Sequence, residues 1–274
     1  MEKEIAIVYL VAGLSTRFGG DVKSFAKIGR DGESLIEYSL NQAIKAGFSK
    51  ICFIVGNTTE KPFKEKFGDE YKGISVLYAV QGYDTLQRDR PMGTAEALSK
   101  LRGIIDCKFV ICNGDNIYGE DTFKILSKHL NDSEEEATVG YRLGDTLNEN
   151  PANRGMFSVK DGYVCDLKEM IGLQKARLPE GISIEDSCSK NIFALHPRII
   201  ELMNDKAQKF KKEHENDRKI EYILSTALCE LLEENKMKMK IYPAVCECYD
   251  VTMKEDVERV REKIRGREKL TKPI

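Results

Sequence analysis

No stretch of this 274-residue sequence is long and apolar enough to cross a bilayer, and no signal peptide pattern opens it. Its first apolar run, residues 5–11, is short and flanked by Glu2 and Glu4. The expectation is a cytoplasmic protein with no membrane partner. Nor is one sign of charge in excess. Lys and Arg number 43 against 45 Asp and Glu, a net charge of −2. That balance excludes a nucleic-acid binder working through a broadly basic surface. Charged substrates must instead be met by local groups. Histidine is scarce, with three scattered copies, and no CxxC pair occurs. Cys246-x-Cys248 is too little for a zinc site. The eight cysteines therefore read as reduced thiols used as small apolar residues. There is no linker rich in Pro, Gly or Ser and no internal repeat, and no feature specifies an oligomeric state.

What is present is an alternation of two periods. Apolar runs with β-branched residues predict strands at 5–10, 51–55, 74–80 and 109–112. Amphipathic stretches at 34–46, 59–67, 94–101 and 121–130 predict helices between and after them. This order implies an α/β fold with a mostly parallel sheet and helices on both faces. Residues 137–141 add another strand. Past residue 150 the character changes. Strands at 155–159 and 163–167 flank Asp161-Gly162, a hairpin turn signal. A strand at 191–195, helices at 199–210 and 220–234, a strand at 237–242 and a helix at 251–264 complete the chain. The expectation is a single domain, 1–274, with an elaborated, partly antiparallel second half. Residues 148–154 and 170–186 read as loops.

The chemistry concentrates where strands end. The first strand runs into LVAGLSTRFGG at residues 10–20, and Lys23 follows. Small residues let backbone approach a ligand, and consecutive amides can cradle phosphate oxygens. Arg17 offers a planar fork suited to phosphate, and Lys23 a point charge. The glycines fit neither GxGxxG nor the GxxxxGK[ST] phosphate loop. Spacing alone leaves two readings, a phosphate cradle or a glycine-containing loop with surface cations.

This stretch resembles the signature of sugar-phosphate nucleotidyltransferases, which runs Leu-Ala-Gly-Gly-x-Gly-Thr-Arg and then a lysine. The likeness continues through Ser-Phe-Ala-Lys-Ile-Gly after Lys23 and through Ser34-Leu-Ile-Glu-Tyr38. Ala12 and Ser15 replace family glycines, and Lys27 the usual proline. The resemblance implies a Rossmann-like (GT-A-like) fold. Residues 1–145 would form the nucleotide-binding half and 146–274 the acceptor-binding half. It also implies nucleotide contacts from Ala12, Gly13, Leu14, Ser15 and Thr16.

Further residues match the family one by one. Gln81, at a strand end, stands where a glutamine meets the base, and Gly93-Thr94 where the base lies against backbone. A Cβ at Gly93 is expected to hold the ligand away. The insertion 82–90, with Arg88, Asp89 and Arg90, is expected to close over the nucleotide. Asp115, in Asn113-Gly-Asp115, and Asp250 stand where the family carries two Mg²⁺ ligands. An Asn-Gly-Asp turn and a helix-entry aspartate are the plain alternatives. On the acceptor side, Glu169 matches an acid, while Met170 replaces the lysine that follows it. Lys168 or Lys190 could take that lysine's place. Asn191 lies in a stretch close to Asn-Ala-Gly-Ile-Tyr, and Glu221 reads as helix surface.

The implied reaction is attack of an acceptor phosphate on the α-phosphorus of a nucleoside triphosphate, with release of pyrophosphate. Arg17, Lys23 and Asp115 would be catalytic, with Mg²⁺ as cofactor. A phosphate whose second pKa is about 6 needs no general base at neutral pH. The partners are a triphosphate, with a pyrimidine favoured, and a phosphorylated sugar, or an alcohol such as choline phosphate. Two other classes remain open. A glycosyltransferase of the same fold would show Asp-x-Asp where Asn113-Gly-Asp115 stands. A non-catalytic nucleotide-sugar sensor would not need Arg17, Lys23, Asp115 and Asp250 together.

Overall fold

The computed structural model describes residues 4–13, 22–148, 150–251 and 254–270. Its centre is β1 (Ile5–Leu10), an apolar run buried on both faces. Successive side chains of a strand point to opposite faces. Ile5, Ile7 and Tyr9 enter one buried cluster, and Ala6 and Val8 enter another. β2 (Lys50–Gly56) pairs parallel on one side of β1 and β5 (Lys108–Asn113) on the other, with Ile7 between Ile51 and Val110. β4 (Ile74–Gln81) extends the parallel block beyond β2, and β3 (Glu70–Tyr71) closes that edge antiparallel.

Helices cover both faces, as expected. Onto the first cluster pack α1 (Leu35–Lys45) through Ile36 and Leu40, and α2 (Glu60–Phe67) through Phe63 and Phe67. α4 (Glu120–Asp132) adds Phe123 and Leu126. The second cluster takes Leu98 of α3 (Thr94–Ser99), Met203 of α6 (Arg198–Glu213) and Leu228 of α7 (Leu224–Glu233). Phe53 of β2 anchors α2, its ring 4.9 Å from those of both Phe63 and Phe67. Burying a ring of this size stabilises by about 1.5–3 kcal/mol. Glu37 accepts from the Ser34 backbone N–H at 2.8 Å, which satisfies a donor at the start of α1.

The second half continues the same sheet. β7 (Glu136–Arg142), followed by the short α5 (Leu143–Thr146), leads to the hairpin of β8 (Ala152–Lys160) and β9 (Tyr163–Leu173). Asp161 and Gly162 both have positive φ, +53° and +80°, as a two-residue hairpin turn requires. β10 (Ser187–Cys188), β11 (Ile192–Leu195) and β12 (Met239–Pro243) complete the order β10-β8-β9-β12-β7-β11-β5-β1-β2-β4-β3. Apart from this sheet, β6 (Asn116–Ile117) pairs antiparallel with β13 (Tyr249–Asp250), and α8 (Lys254–Leu270) follows.

Three expectations need correction. The sheet is mixed: parallel pairing is confined to β5-β1-β2-β4 and to β7 with β12. β11 runs antiparallel to both β5 and β7, since no crossover helix precedes it. Second, α7 begins at Leu224 rather than 220. The preceding segment is extended, because Tyr222 N–H donates to Met92 O at 2.6 Å and Ala95 N–H to Tyr222 O at 2.9 Å. Third, parts of both expected loops are strand, at residues 152–154 and 170–173. All eight cysteines are free, and burial pushes the Cys52 thiol up to about 12. Among the described residues no helix is long and apolar enough to cross a membrane.

After β1 the chain moves outward to β2 and β4, then returns to β5 on the other side of β1. The carboxyl ends of β1 and β5 therefore flank a crevice where the winding reverses. Open α/β sheets bind ligands at such a point.

Candidate active site

The crevice is built by close backbone approach. At the end of β1, Val11 N–H donates to Ile54 O at 3.0 Å, and Ala12 is buried under Gly56. A Cβ on Gly114 would overlap Val11 Cγ1. Glycine there lets the end of β5 tuck beneath the first loop. Gly13 is exposed, and a Cβ on it would meet nothing within 4 Å among the described residues. Leu14, Ser15, Thr16 and Arg17 lie outside the described residues.

Lys23 opens a single 3₁₀ turn, Lys23–Phe25, and its ammonium forms an ion pair with Asp115. Asp115 precedes β6, and the β6–β13 ladder aligns Asn116 with Asp250. Val251 N–H donates to Asp115 O at 3.2 Å, fastening the two segments. Two aspartates far apart in the chain thus share one site.

Asp115 and Asp250 line a polar cavity of about 170 Å³ together with Arg154, Glu169, Lys190 and Asn191. Asp250 Oδ2 accepts from Lys190 Nζ and, at 3.2 Å, from the Arg154 guanidinium. Burial pushes the Asp250 carboxyl up, but Lys190 and Arg154 outweigh that and hold it below the ordinary carboxylate value. Its Oδ1 is buried with no hydrogen-bond partner among the described residues. Such an orphan acceptor beside a second carboxylate is what a hard, oxygen-seeking cation satisfies, so the donor set fits Mg²⁺. Two other groups of three acid or thiol side chains, Glu4–Asp106–Cys107 and Asp166–Cys229–Glu233, lie away from this cavity.

Glu169 sits opposite Gly155 in the β8–β9 ladder and accepts from Ser225 Oγ of α7 at 2.8 Å. Asn191 has φ +54°, a left-handed conformation. Its backbone N–H donates to Ser189 Oγ at 3.0 Å. Met170 is partly buried against the core and brings no charge. Lys168 is exposed and does not line the cavity, whereas Lys190 does. Arg154 was not singled out in the sequence. It lies at a register shift in β8, an irregularity with no local signature.

Gln81, Gly93 and Thr94 form a separate cluster that does not line this cavity. Gln81 is buried, and its amide nitrogen donates to Gly93 O at 2.8 Å and Glu96 Oε2 at 2.6 Å. Two acceptors fix the amide orientation and leave its carbonyl oxygen for other use. Thr94 Oγ1 accepts from Leu224 N–H at 2.8 Å. The glycine at 93 has a reason the sequence did not reveal. Its φ is +105°, and a Cβ would lie 2.5 Å from Tyr222 O.

Gly93→Ala is accordingly expected to cost about 1–3 kcal/mol through backbone strain. For a chain of this size that lowers the thermal midpoint by about 2–12 °C, at about 2–4 °C per kcal/mol. Thermal melting checks this. An unchanged midpoint with weakened nucleotide binding would instead give Gly93 the ligand role alone.

The insertion 82–90 is tied to the segment before α7. Arg88 donates to the carbonyls of Asp217 and Ile220, Arg218 pairs with Asp89 at 2.8 Å, and Arg90 with Glu221 at 3.0 Å. These arginines are held by protein partners. Glu221 is exposed, but on the extended segment rather than on a helix.

The family model for nucleotidyl transferases matches residues 23–239, most of the chain. The chain belongs to the nucleotidyl transferase family. A UTP–glucose-1-phosphate uridylyltransferase, AglF of Haloferax volcanii, is 27% identical over 132 residues. That match covers 47% of this chain and 51% of the relative, so the chain spans about half the length of the curated relative it matches. Similar solved structures include an inositol-1-phosphate CTP transferase from T. maritima, at TM-score 0.65 and 15% identity over 97% of both chains. A putative glucose-1-phosphate thymidylyltransferase from Bacillus anthracis gives 0.69 and 14% over 95% of each. HddC from Yersinia pseudotuberculosis, complexed with GMP-PN, gives 0.64 and 16%, covering 94% of this chain and 99% of that one. At these identities the structural likeness establishes the fold alone.

Proposed function

We propose that this nucleotidyl transferase joins a pyrimidine nucleoside triphosphate to a phosphorylated sugar, or a phosphorylated alcohol, and releases pyrophosphate. The observation that carries this reading is the convergence of Asp115, Asp250, Glu169 and Lys190 on one polar cavity, with Lys23 paired to Asp115 at its edge. An acceptor phosphate oxygen attacks the α-phosphorus, forming one P–O bond as the bond to the β-phosphate oxygen breaks. The attacking phosphate is already mostly ionised at neutral pH, so no proton need be removed. Rate enhancement rests on alignment and on preorganised charge.

Asp115 and Asp250 would hold Mg²⁺, which supplies charge neutralisation to the phosphates. Lys23 stands at the β1–β5 crevice and holds the reacting phosphates. Arg17 is assigned the leaving pyrophosphate from its place in the motif. Glu169, fixed by Ser225, orients hydroxyl groups of the acceptor. Pyrophosphate release, measured over five triphosphates with glucose 1-phosphate, inositol 1-phosphate and choline phosphate, tests the reading. No release with any pair would overturn it.

A pyrimidine is expected because Gln81 with Gly93 resembles the arrangement in pyrimidine-using sugar nucleotidyltransferases; Gln81 offers a carbonyl oxygen, its nitrogen being committed to Gly93 and Glu96. Uracil and thymine carry a ring N–H that such an acceptor can pair with, and cytosine an exocyclic amine; purines carry like donors, so the preference rests on the resemblance. A mismatched buried polar group costs about 1–3 kcal/mol, or roughly ten- to a hundred-fold in affinity. Competition binding of the four ribonucleoside triphosphates and dTTP with Mg²⁺ checks this. ATP or GTP binding tighter than every pyrimidine would refute the base preference and leave the transfer reaction standing.

A further inference from the structure

We infer that Tyr118 is a positioning residue for the transfer: its hydroxyl splices the end of β5, which leads to Asp115, onto the segment 189–191 in the opposite wall of the cavity. This rests on the reaction proposed above and adds a residue to its machinery. The β5–β11 ladder stops at Cys112 and Ile192. The next pair would be Asn113 with Asn191, but Asn191 has φ +54° and turns the chain out of the ladder. Gly114 N–H is taken up by Leu10 O of β1 at 3.0 Å. Successive amides of a strand point to opposite neighbours, so Asn113 N–H faces β11 and is left without a strand partner. Backbone groups inside a fold need one. Tyr118 Oη accepts from Asn113 N–H at 3.1 Å and donates to Lys190 O at 2.7 Å. Asn191 O lies 3.3 Å from the same hydroxyl. A hydroxyl carries one proton and two acceptor sites, so a single phenol can stand in for the missing rung.

The ring that carries this hydroxyl is itself fixed. Tyr118 is fully buried, and its ring meets Phe123 edge-on with centroids 6.1 Å apart. Its carbonyl accepts from Cys246 Sγ at 3.1 Å, and the two residues before it pair with Tyr249 and Asp250. Burial pushes the phenol well above its ordinary value, so it keeps its proton and remains a donor. On the far side, Ser189 N–H donates to Gly155 O at 2.7 Å and ties the segment to β8. The hydroxyl therefore sets the spacing between two walls of the cavity, with Asp115 just past Asn113 on one and Lys190 and Asn191 on the other. Each wall can hold its own substrate without the bridge. What the bridge sets is their alignment, and a misplacement of about 1 Å can cost about a hundred-fold in rate.

The test is Tyr118→Phe, which removes the hydroxyl and keeps the ring. With a triphosphate and acceptor pair that gives release, single-turnover pyrophosphate formation at saturating substrates should slow by about ten- to a hundred-fold. Equilibrium affinity for the triphosphate and for the acceptor, each measured alone, should stay within about three-fold. The thermal midpoint should fall by about 2–12 °C, because Asn113 N–H and Lys190 O lose a partner. Met203→Ala, a core truncation in α6, none of whose residues lines the cavity, controls for lost stability. Its midpoint should fall at least as far, with the rate within about two-fold. A further measurement needs no variant: in wild type the Asn113 amide should exchange with solvent deuterium at least about a hundred-fold more slowly than an unstructured amide. A lower midpoint with an unslowed rate in Tyr118→Phe would make the hydroxyl merely structural and overturn the inference. So would an equal slowing in Met203→Ala, a loss of affinity that accounts for the whole effect, or free exchange at Asn113. Should Tyr118→Phe fail to fold, the exchange measurement decides. No release by wild type with any pair would refute the transfer reaction and take the role with it, whereas wild-type release with an unslowed Tyr118→Phe would refute the role alone.

Discussion

Replacing Lys23 with alanine is expected to lower turnover by about a hundred-fold or more, the typical worth of one preorganised charge contact in a transition state. Triphosphate affinity should change far less. In the free protein the Lys23 ammonium is already paired with Asp115, so a triphosphate must compete with that carboxylate for it. Part of the ground-state attraction is thereby cancelled. As the α–β bond breaks, negative charge moves onto the leaving pyrophosphate, and interactions strengthened at that moment raise turnover rather than affinity. The same variant removes the cation that competes for Asp115, so Mg²⁺ should bind the nucleotide-free protein at least as tightly as in wild type. Steady-state pyrophosphate release gives the turnover, and equilibrium titration gives both affinities. Wild-type turnover in Lys23→Ala would remove the site assignment.

Asp115→Asn is expected to abolish metal-dependent activity while leaving the fold standing. The side chains are nearly the same size, and the Asp115 carbonyl that accepts from Val251 N–H at 3.2 Å is backbone. Losing even an outer partner of a metal site typically costs about 10–100-fold. Removal of a direct ligand should therefore exceed about a hundred-fold. The broken pair with Lys23 is partly exposed, 20% on the lysine side chain and 32% on the aspartate. Such pairs contribute about 1 kcal/mol or less, so the metal-free thermal midpoint should shift by no more than about 2–4 °C. Full activity would strip Asp115 of the metal role. Collapse of the metal-free fold would make Asn113-Gly-Asp115 a structural turn.

Much of the first half was legible because its signals are local. The run 5–10, short, apolar and β-branched, reads as a strand buried on both faces, and Asp161-Gly162 announces a two-residue hairpin. Asp115 was legible for the same reason, as an acid directly after an apolar strand. The motif around Lys23 carried the family, which the match over residues 23–239 bears out.

Other features depend on partners far away in the chain. Strand direction for the run 192–195 was not legible, because such an apolar run looks alike parallel or antiparallel; the neighbours β5 and β7 set its sense. Gly93 was credited to a ligand; that its Cβ would also meet the backbone of Tyr222, far along the chain, was not legible. Gln81 was legible as a strand end, and the commitment of its amide to Gly93 and Glu96 was not. The sequence by itself therefore determined the parallel core, the hairpin and the family, and it named Asp115 and Asp250 as candidates. Tertiary structure alone decided that Asp250 stands beside Asp115 and that Lys190 and Arg154 share its oxygen. Periodicity and turn chemistry act over a few residues, whereas charge compensation and close backbone approach are settled only when distant segments pack together.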